Sequence, residues 1–195
     1  EIINKIKVSG ENELISMINS FDKIICKEIK NIKVDQKSLK KAFDDLPIDL
    51  KNAMRTASNR IKTFHEKQVL KGFNYEDEIG VNLGLKYDPI KRVGFYAPGG
   101  KALYPSSVLM NIIPSLVAGV EERVLVSPII LDKNSKILLA AAYLSEVTEF
   151  YRMGGAQSIA ALAMGTVSIK RVDKVVGPGN AYVAEAKRQL FGKVG

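Results

Sequence analysis

The chain has 195 residues, 46% of them hydrophobic and 26% charged, a profile typical of a globular protein with one sizeable domain or two small ones. No apolar run reaches the roughly 18–20 residues of a membrane span, and the N-terminus lacks the basic and apolar segments of a signal peptide. We therefore expect a cytoplasmic protein that does not enter a membrane.

The net charge of +8 is uneven, since residues 1–90 hold 16 basic and 14 acidic side chains and residues 91–195 hold 13 and 7. No basic cluster is interleaved with aromatic residues, so nucleic acid is not an expected partner. The excess either reflects solvated lysines or favours an anionic small molecule such as a dinucleotide.

Cysteine and histidine are each present once, as Cys26 and His65. A single cysteine allows no internal disulfide, and we expect Cys26 to be a small residue on a buried helix face. His65 lies beside an apolar helical stripe and is expected to be structural. Because a transition-metal site needs three or four suitable ligands, we predict no metal ligands and no catalytic triad in this chain.

Residues 1–90 have the apolar spacing of amphipathic helices. Ser38 is a candidate cap for the second helix, and residues 71–89, which include three glycines and an acidic patch, are expected to form a loop. The three apolar stripes are Leu14, Ile18, Phe21, Ile25, Ile29 and Ile32; then Leu39, Ala42, Phe43 and Leu46; then Leu50, Ala53, Met54, Ala57, Ile61, Phe64 and Gln68.

Residues 91–195 alternate strands and helices, a pattern that predicts a parallel sheet covered on both faces. Ser106-Ser107 and Ser135 are candidate helix caps, and Pro114 is expected to kink the first helix. The predicted strands are 92–97, 123–126, 149–153 and 173–176, and the predicted helices are 108–120, 136–145, 157–164 and 180–190. The predicted fold class is thus α/β, with a helical region before a Rossmann-like sheet.

Three of the four strands end in glycines, at Pro98-Gly99-Gly100, Gly154-Gly155 and Gly177-Pro178-Gly179. Ligands of open parallel sheets bind at the carboxyl ends of strands, where glycine permits close approach and helix N-termini favour phosphate. The same turns also occur in α/β domains for purely structural reasons. There is no G-x-G-x-x-G motif, and the second strand ends in Ser127-Pro128 without an acid for a ribose.

Three polar side chains follow these strands and are candidate ligands for a nucleotide. Tyr96 offers a ring face and a hydroxyl, while the amides of Gln157 and Asn180 can bind hydroxyls or a carboxamide. The structural alternatives are a core tyrosine, a solvated first-turn glutamine and an N-cap asparagine.

Long segments of the chain resemble histidinol dehydrogenase. They are "RVGFYAPGGKALYPSSVLMNIIPSLVAGV", "GGAQSIAALAMGT" and "VDKVVGPGNAYVAEAKRQLFGKVG", with "RIKTFHEKQ", "EIGVNLG" and "DPIKRVG" before them. The resemblance implies an NAD- and zinc-dependent oxidoreductase that converts L-histidinol through L-histidinaldehyde to L-histidine. It also implies a cytoplasmic homodimer with Rossmann-like domains.

The resemblance assigns NAD contacts to Tyr96 of "FYAPGG", Gln157 of "GGAQ" and Asn180 of "GPGN". The family's zinc ligands and its glutamate–histidine acid–base pair have no counterpart here. We therefore expect an N-terminal part of a longer enzyme, inactive when isolated. Residues 1–90 would belong to a second α/β domain completed elsewhere, and residues 91–195 would form an incomplete NAD-binding domain.

Two alternatives remain open from the sequence. The first is a paralogous NAD-dependent dehydrogenase acting on another alcohol, such as sulfopropanediol, because the substrate pocket is not encoded in these residues. A non-catalytic module that binds a nucleotide or a partner is the second alternative.

Overall fold

A parallel sheet forms the centre of the molecule in the computed structural model, which describes residues 1–99, 103–132 and 134–195. Gly100 of the first glycine loop lies outside these residues. The strands β4 (Arg92–Tyr96), β5 (Glu122–Val126), β6 (Glu149–Tyr151) and β7 (Lys174–Val176) are parallel, and β1 (Lys33–Val34) pairs antiparallel with β6. The order is β1-β6-β5-β4-β7, so the direction of strand succession reverses between β4 and β7.

Helices cover both faces of the sheet, as predicted. One face packs against α1 (Ile2–Met17), α6 (Gly155–Met164) and α7 (Ala181–Leu190). The other packs against α2 (Gln36–Asp44), α3 (Ile48–Glu66), α4 (Pro105–Val117) and α5 (Lys136–Leu144). No helix in the described part of the chain is both long and apolar enough to cross a membrane.

Side-chain alternation along the strands divides the interior into these two cores. Val93 and Phe95 of β4 belong to the core under α4 and α5, whereas Tyr96 belongs to the core under α6. Gly94 lies between Val93 and Phe95, and a Cβ added to it would lie 2.9 Å from Leu162 of α6. The missing side chain therefore allows α6 to pack closely on the centre of the sheet.

The first apolar stripe does not form one continuous helix. Gly10 interrupts α1 with φ +60°, a π-helical turn covers Ile18–Asp22, and Lys23 has a left-handed backbone. Phe21 is consequently 58% exposed and Ile25 86% exposed, although both were predicted to share the buried face. The helical period fails here because the chain must turn back to place β1 on the sheet edge.

Asn19 stabilises that turn with its side-chain amide. Its Nδ2 donates to the carbonyl of Cys26 and its Oδ1 accepts the Cys26 N–H, both at 2.8 Å. Cys26 is buried as predicted, but in this turn and not on a helix. Burial raises the pKa of its thiol.

The predicted helix caps need correction. Asp35, not Ser38, caps α2, since its carboxylate accepts the Ser38 N–H at 2.6 Å. Helix α4 begins at Pro105, which places Ser106-Ser107 inside the first turn. Ser135 does precede α5, but its hydroxyl donates to the Asp132 carbonyl instead of capping the helix.

Residues 71–89 are not simply a loop, because β2 (Phe73–Glu76) and β3 (Asn82–Leu85) form an antiparallel hairpin. Asp77 closes its turn by accepting the N–H groups of Ile79 and Val81. The glycines and acidic residues hid the strand signal in the sequence. Apolar side chains of the hairpin are exposed, including Phe73, Tyr75, Leu83 and Leu85.

Residues 1–66 share both cores with residues 91–195, and β1 extends the same sheet. The division into two domains at residue 90 stays a prediction. Within residues 1–90, the part that best fits a separate unit is residues 67–90, which contains the exposed hairpin.

A charge cluster lies at the amino ends of the parallel strands. The buried guanidinium of Arg92 pairs with Glu122 and, at 2.7 Å, with Glu149. Glu149 also accepts the Tyr151 hydroxyl and pairs with Lys33 at 3.2 Å. Although burial opposes ionisation, these partners together lower the pKa of Glu149 to about 2. Burial and the hydrogen bond to the Glu149 carboxylate raise the pKa of Tyr151.

We expect Glu149→Gln to destabilise the fold by about 2–3 kcal/mol at neutral pH. The folded pKa of Glu149 is depressed, so its stabilisation is complete above the unfolded value of about 4.3 and is lost as the pH falls towards about 2. Stability of the variant should therefore fall less steeply than that of wild type over this acidic range. Urea unfolding at neutral pH and across this range measures both effects.

Glu185→Gln is the matched control, because Glu185 pairs with Arg188 on the solvent-facing side of α7. Exposed pairs contribute little to stability. If the Glu149 and Glu185 variants lose the same free energy of unfolding, a special role for the buried charge cluster is contradicted.

Candidate functional site

The carboxyl ends of the parallel strands face a cleft at the point where the strand order reverses. Open α/β sheets bind ligands at such a switch point. Here it lies between β4, which ends at Tyr96, and β7, which leads into the Gly177-Pro178-Gly179 turn.

The turn after β7 rests directly on the end of β4. Gly177 has φ +113°, and an added Cβ would overlap the carbonyl oxygen of Tyr96. Lys187 of α7 donates from Nζ to the Gly177 carbonyl at 2.5 Å, and burial lowers its pKa. Glycine is required at this position both for its backbone conformation and for the close approach.

A cavity of about 430 Å³ lies at this end of the sheet, and its lining includes Tyr96, Gln157 and Asn180. The structure thus brings together the three residues that the sequence singled out. Phe21, Asp22 and Pro128 line this cavity and also a neighbouring one of about 810 Å³. Two neighbouring cavities of this size offer enough room for a dinucleotide.

Tyr96 is only 4% exposed, so its ring belongs to the core and offers little face for stacking. Burial raises the pKa of its hydroxyl; a hydrogen bond from the Gly155 backbone lowers it, and the nearby Asp22 carboxylate raises it further. The phenol is therefore neutral and remains able to exchange hydrogen bonds with a ligand.

Gln157 is 2% exposed, which excludes the alternative of a solvated first-turn residue. Its Nε2 donates to Asp22 Oδ2 at 3.2 Å. Gly155 has φ +60°, and an added Cβ would lie 2.5 Å from Gln157 Oε1. The glycine pair before α6 therefore makes room for this buried amide.

Asn180 both caps a helix, which was its structural alternative, and lines the cavity. Its Oδ1 accepts the Val183 N–H at 3.1 Å and caps α7, which confirms the N-cap interpretation. The side chain is exposed and lines the cavity. Its Nδ2 is available to a ligand, since it has no hydrogen-bond partner among the described residues.

Sequence reasoning missed Asp22, Phe21 and Tyr182, which also line the cavity. The Asp22 carboxylate accepts the Gly154 N–H at 3.1 Å as well as the Gln157 amide. Burial raises the pKa of Asp22. No local pattern marks this residue, because its position depends on packing between segments more than 130 residues apart.

Zinc does not fit the residues present. The described ranges contain no group of three or more histidine, cysteine, aspartate or glutamate side chains placed to hold a metal ion. His65 lies on α3, where its Nδ1 is 2.6 Å from Gln68 Oε1, and it does not line the cleft.

The fold defines a Rossmann-like α/β domain with a cleft at the switch point of its sheet. The family model "Histidinol dehydrogenase" matches residues 1–195, and the chain belongs to that family.

Relatives of known name agree with this assignment. The chain is 46% identical over 195 residues to histidinol dehydrogenase of Neisseria meningitidis serogroup A and 44% identical over 194 residues to that of Dechloromonas aromatica. The two matches cover all of this chain but only 46% and 45% of the relatives' own lengths. The crystal structure of histidinol dehydrogenase from Elizabethkingia anophelis superposes with a TM-score of 0.87 at 31% identity, covering 98% of this chain and 44% of that one.

We expect Gly177→Ala to destabilise the protein by more than about 2 kcal/mol, because the methyl group adds an overlap with Tyr96 to the strain of a positive φ. Gly192→Ala is the control: Gly192 has φ +86°, but an added Cβ has nothing within 4 Å. Gly192→Ala should destabilise the protein only through the strain of its positive φ, by about 1–2 kcal/mol. Thermal unfolding measures both, and a Gly177 variant no worse than the control would refute the close approach.

Proposed function

We propose that this chain forms the NAD-binding part of an NAD- and zinc-dependent histidinol dehydrogenase that oxidises L-histidinol through L-histidinaldehyde to L-histidine. Family membership over residues 1–195 supports the reaction class. The observation that carries the proposal is the shared cavity of Tyr96, Gln157 and Asn180 at the switch point. Two NAD molecules would bind in turn, the first to accept the hydride removed from the alcohol and the second to accept the hydride removed from the aldehyde after it has added water.

The chain's own groups are suited to bind and orient such a cofactor. Free N–H groups at the start of α7 favour a phosphate, and the Gly177-Pro178-Gly179 turn allows close approach. The hydroxyl of Tyr96 and the amide of Asn180 lie where they can hydrogen bond sugar hydroxyls or the carboxamide. The buried Gln157 fixes the wall of the cavity through Asp22.

The reaction also needs zinc ligands and an acid–base pair, and the described residues hold no cluster of three or more side chains able to bind a metal ion. We propose that they are contributed from outside these 195 residues, in a cytoplasmic homodimer of the complete enzyme. The chain spans less than half of the length of its relatives, which is compatible with this division.

The complete protein supplied with zinc, NAD and L-histidinol should produce NADH and histidine, whereas residues 1–195 alone should produce none. Sulfopropanediol supplied in place of histidinol should give no NADH. NADH absorbance and amino-acid analysis measure both products. Turnover by the isolated chain, or a preference for sulfopropanediol, would contradict the proposal.

We expect Gln157→Ala and Asn180→Ser each to weaken NAD binding by about tenfold or more in the complete protein, measured by calorimetry. Serine is chosen at position 180 because its hydroxyl preserves the cap of α7 while the amide is lost. Asp35→Ser makes the corresponding cap change on α2, away from the cavity, and should leave the affinity for NAD unchanged. Unaltered NAD affinity in the Gln157 and Asn180 variants would remove both residues from the site.

A further inference from the structure

The second parallel strand, β5, ends without the acid that Rossmann-like domains place there. In those domains this carboxylate accepts hydrogen bonds from the adenosine ribose and selects NAD over its 2′-phosphorylated form. Here β5 is followed by Ser127 and Pro128. If NAD binds in this cleft, another group must therefore accept hydrogen bonds from the ribose hydroxyls.

Asp22 lies beside that position, although it comes from the N-terminal segment. Asp22 and Pro128, the residue that follows β5 by two positions, both line the two neighbouring cavities. An added Cβ on Gly154 would lie 2.6 Å from the Pro128 ring, so the Gly154 backbone that binds Asp22 packs directly on Pro128.

The Asp22 carboxylate keeps unused capacity for hydrogen bonds. Each oxygen accepts one protein donor, from Gly154 and from Gln157, whereas a carboxylate has about four acceptor positions. No lysine or arginine in the described ranges forms an ion pair with it; burial raises its pKa, and the two donors oppose that shift by favouring the ionised form. Vicinal hydroxyls are suitable partners for the free positions, and a phosphate is repelled.

The carboxylate is also held in place on both sides. Its two donors belong to the start of α6, and Asn19 fixes the turn that follows the Ile18–Asp22 segment. Fixed geometry is what a specificity-determining group requires, because a mobile carboxylate can move away from an added phosphate.

We propose that Asp22 binds the adenosine ribose hydroxyls of the cofactor and determines the preference for NAD over NADP, in place of the acid absent after β5. This assignment rests on the proposed function.

The test measures binding of NAD and of NADP to the complete protein by calorimetry, for wild type, Asp22→Asn, Asp22→Ser and Asp44→Asn. Wild type should prefer NAD. Asp22→Asn and Asp22→Ser should bind NAD about tenfold more weakly and NADP equally well or better. The ratio of the NAD affinity to the NADP affinity should therefore fall by at least tenfold. Asp44→Asn removes the same charge from an exposed position on α2 and should leave the ratio unchanged.

An unchanged ratio in both folded Asp22 variants, with NAD binding intact in wild type, would overturn the Asp22 assignment alone. Failure of wild type to bind NAD would overturn the proposed function together with it. Thermal unfolding identifies folded variants, and if Asp22→Ser does not fold, the isosteric Asp22→Asn decides the outcome.

Discussion

The contact between the turn after β7 and the end of β4 is the constraint on which the cleft depends. Strand order reverses at this point, so the two adjacent strands lead into helices on opposite faces of the sheet. Only a glycine at position 177 lets the backbone lie against the Tyr96 carbonyl. With the turn fixed there, Asn180 caps α7 and reaches the cavity that Gln157 lines from the start of α6.

The N-terminal segment completes the same cleft. Its helix α1 covers α6, its short strand β1 closes the edge of the sheet, and its π-helical turn places Asp22 against Gly154 and Gln157. Asp22 is partly buried and has no cationic partner among the described residues, so hydrogen-bond donors must satisfy its carboxylate. The Gly154 N–H and the Gln157 amide satisfy it in part, and the remaining acceptor positions are those that we propose for the cofactor ribose.

Much of the fold could be predicted from the sequence where the signal was local. Apolar strands ending in glycines gave the parallel sheet, and the position of Tyr96, Gln157 and Asn180 after those strands gave their common location. The β2–β3 hairpin was missed because glycines and acidic residues interrupt its alternation. The break at Gly10 and the turn after Phe21 were missed because packing against the sheet edge overrides the helical period there. Asp22 was missed for a related reason, since only long-range packing brings it to the cleft.

A crystal structure of the complete protein with NAD tests the central claim most directly. We predict that NAD lies in the cleft between the ends of β4 and β7 and contacts Tyr96, Gln157 and Asn180. Density for NAD at any other surface, with this cleft empty, would contradict it.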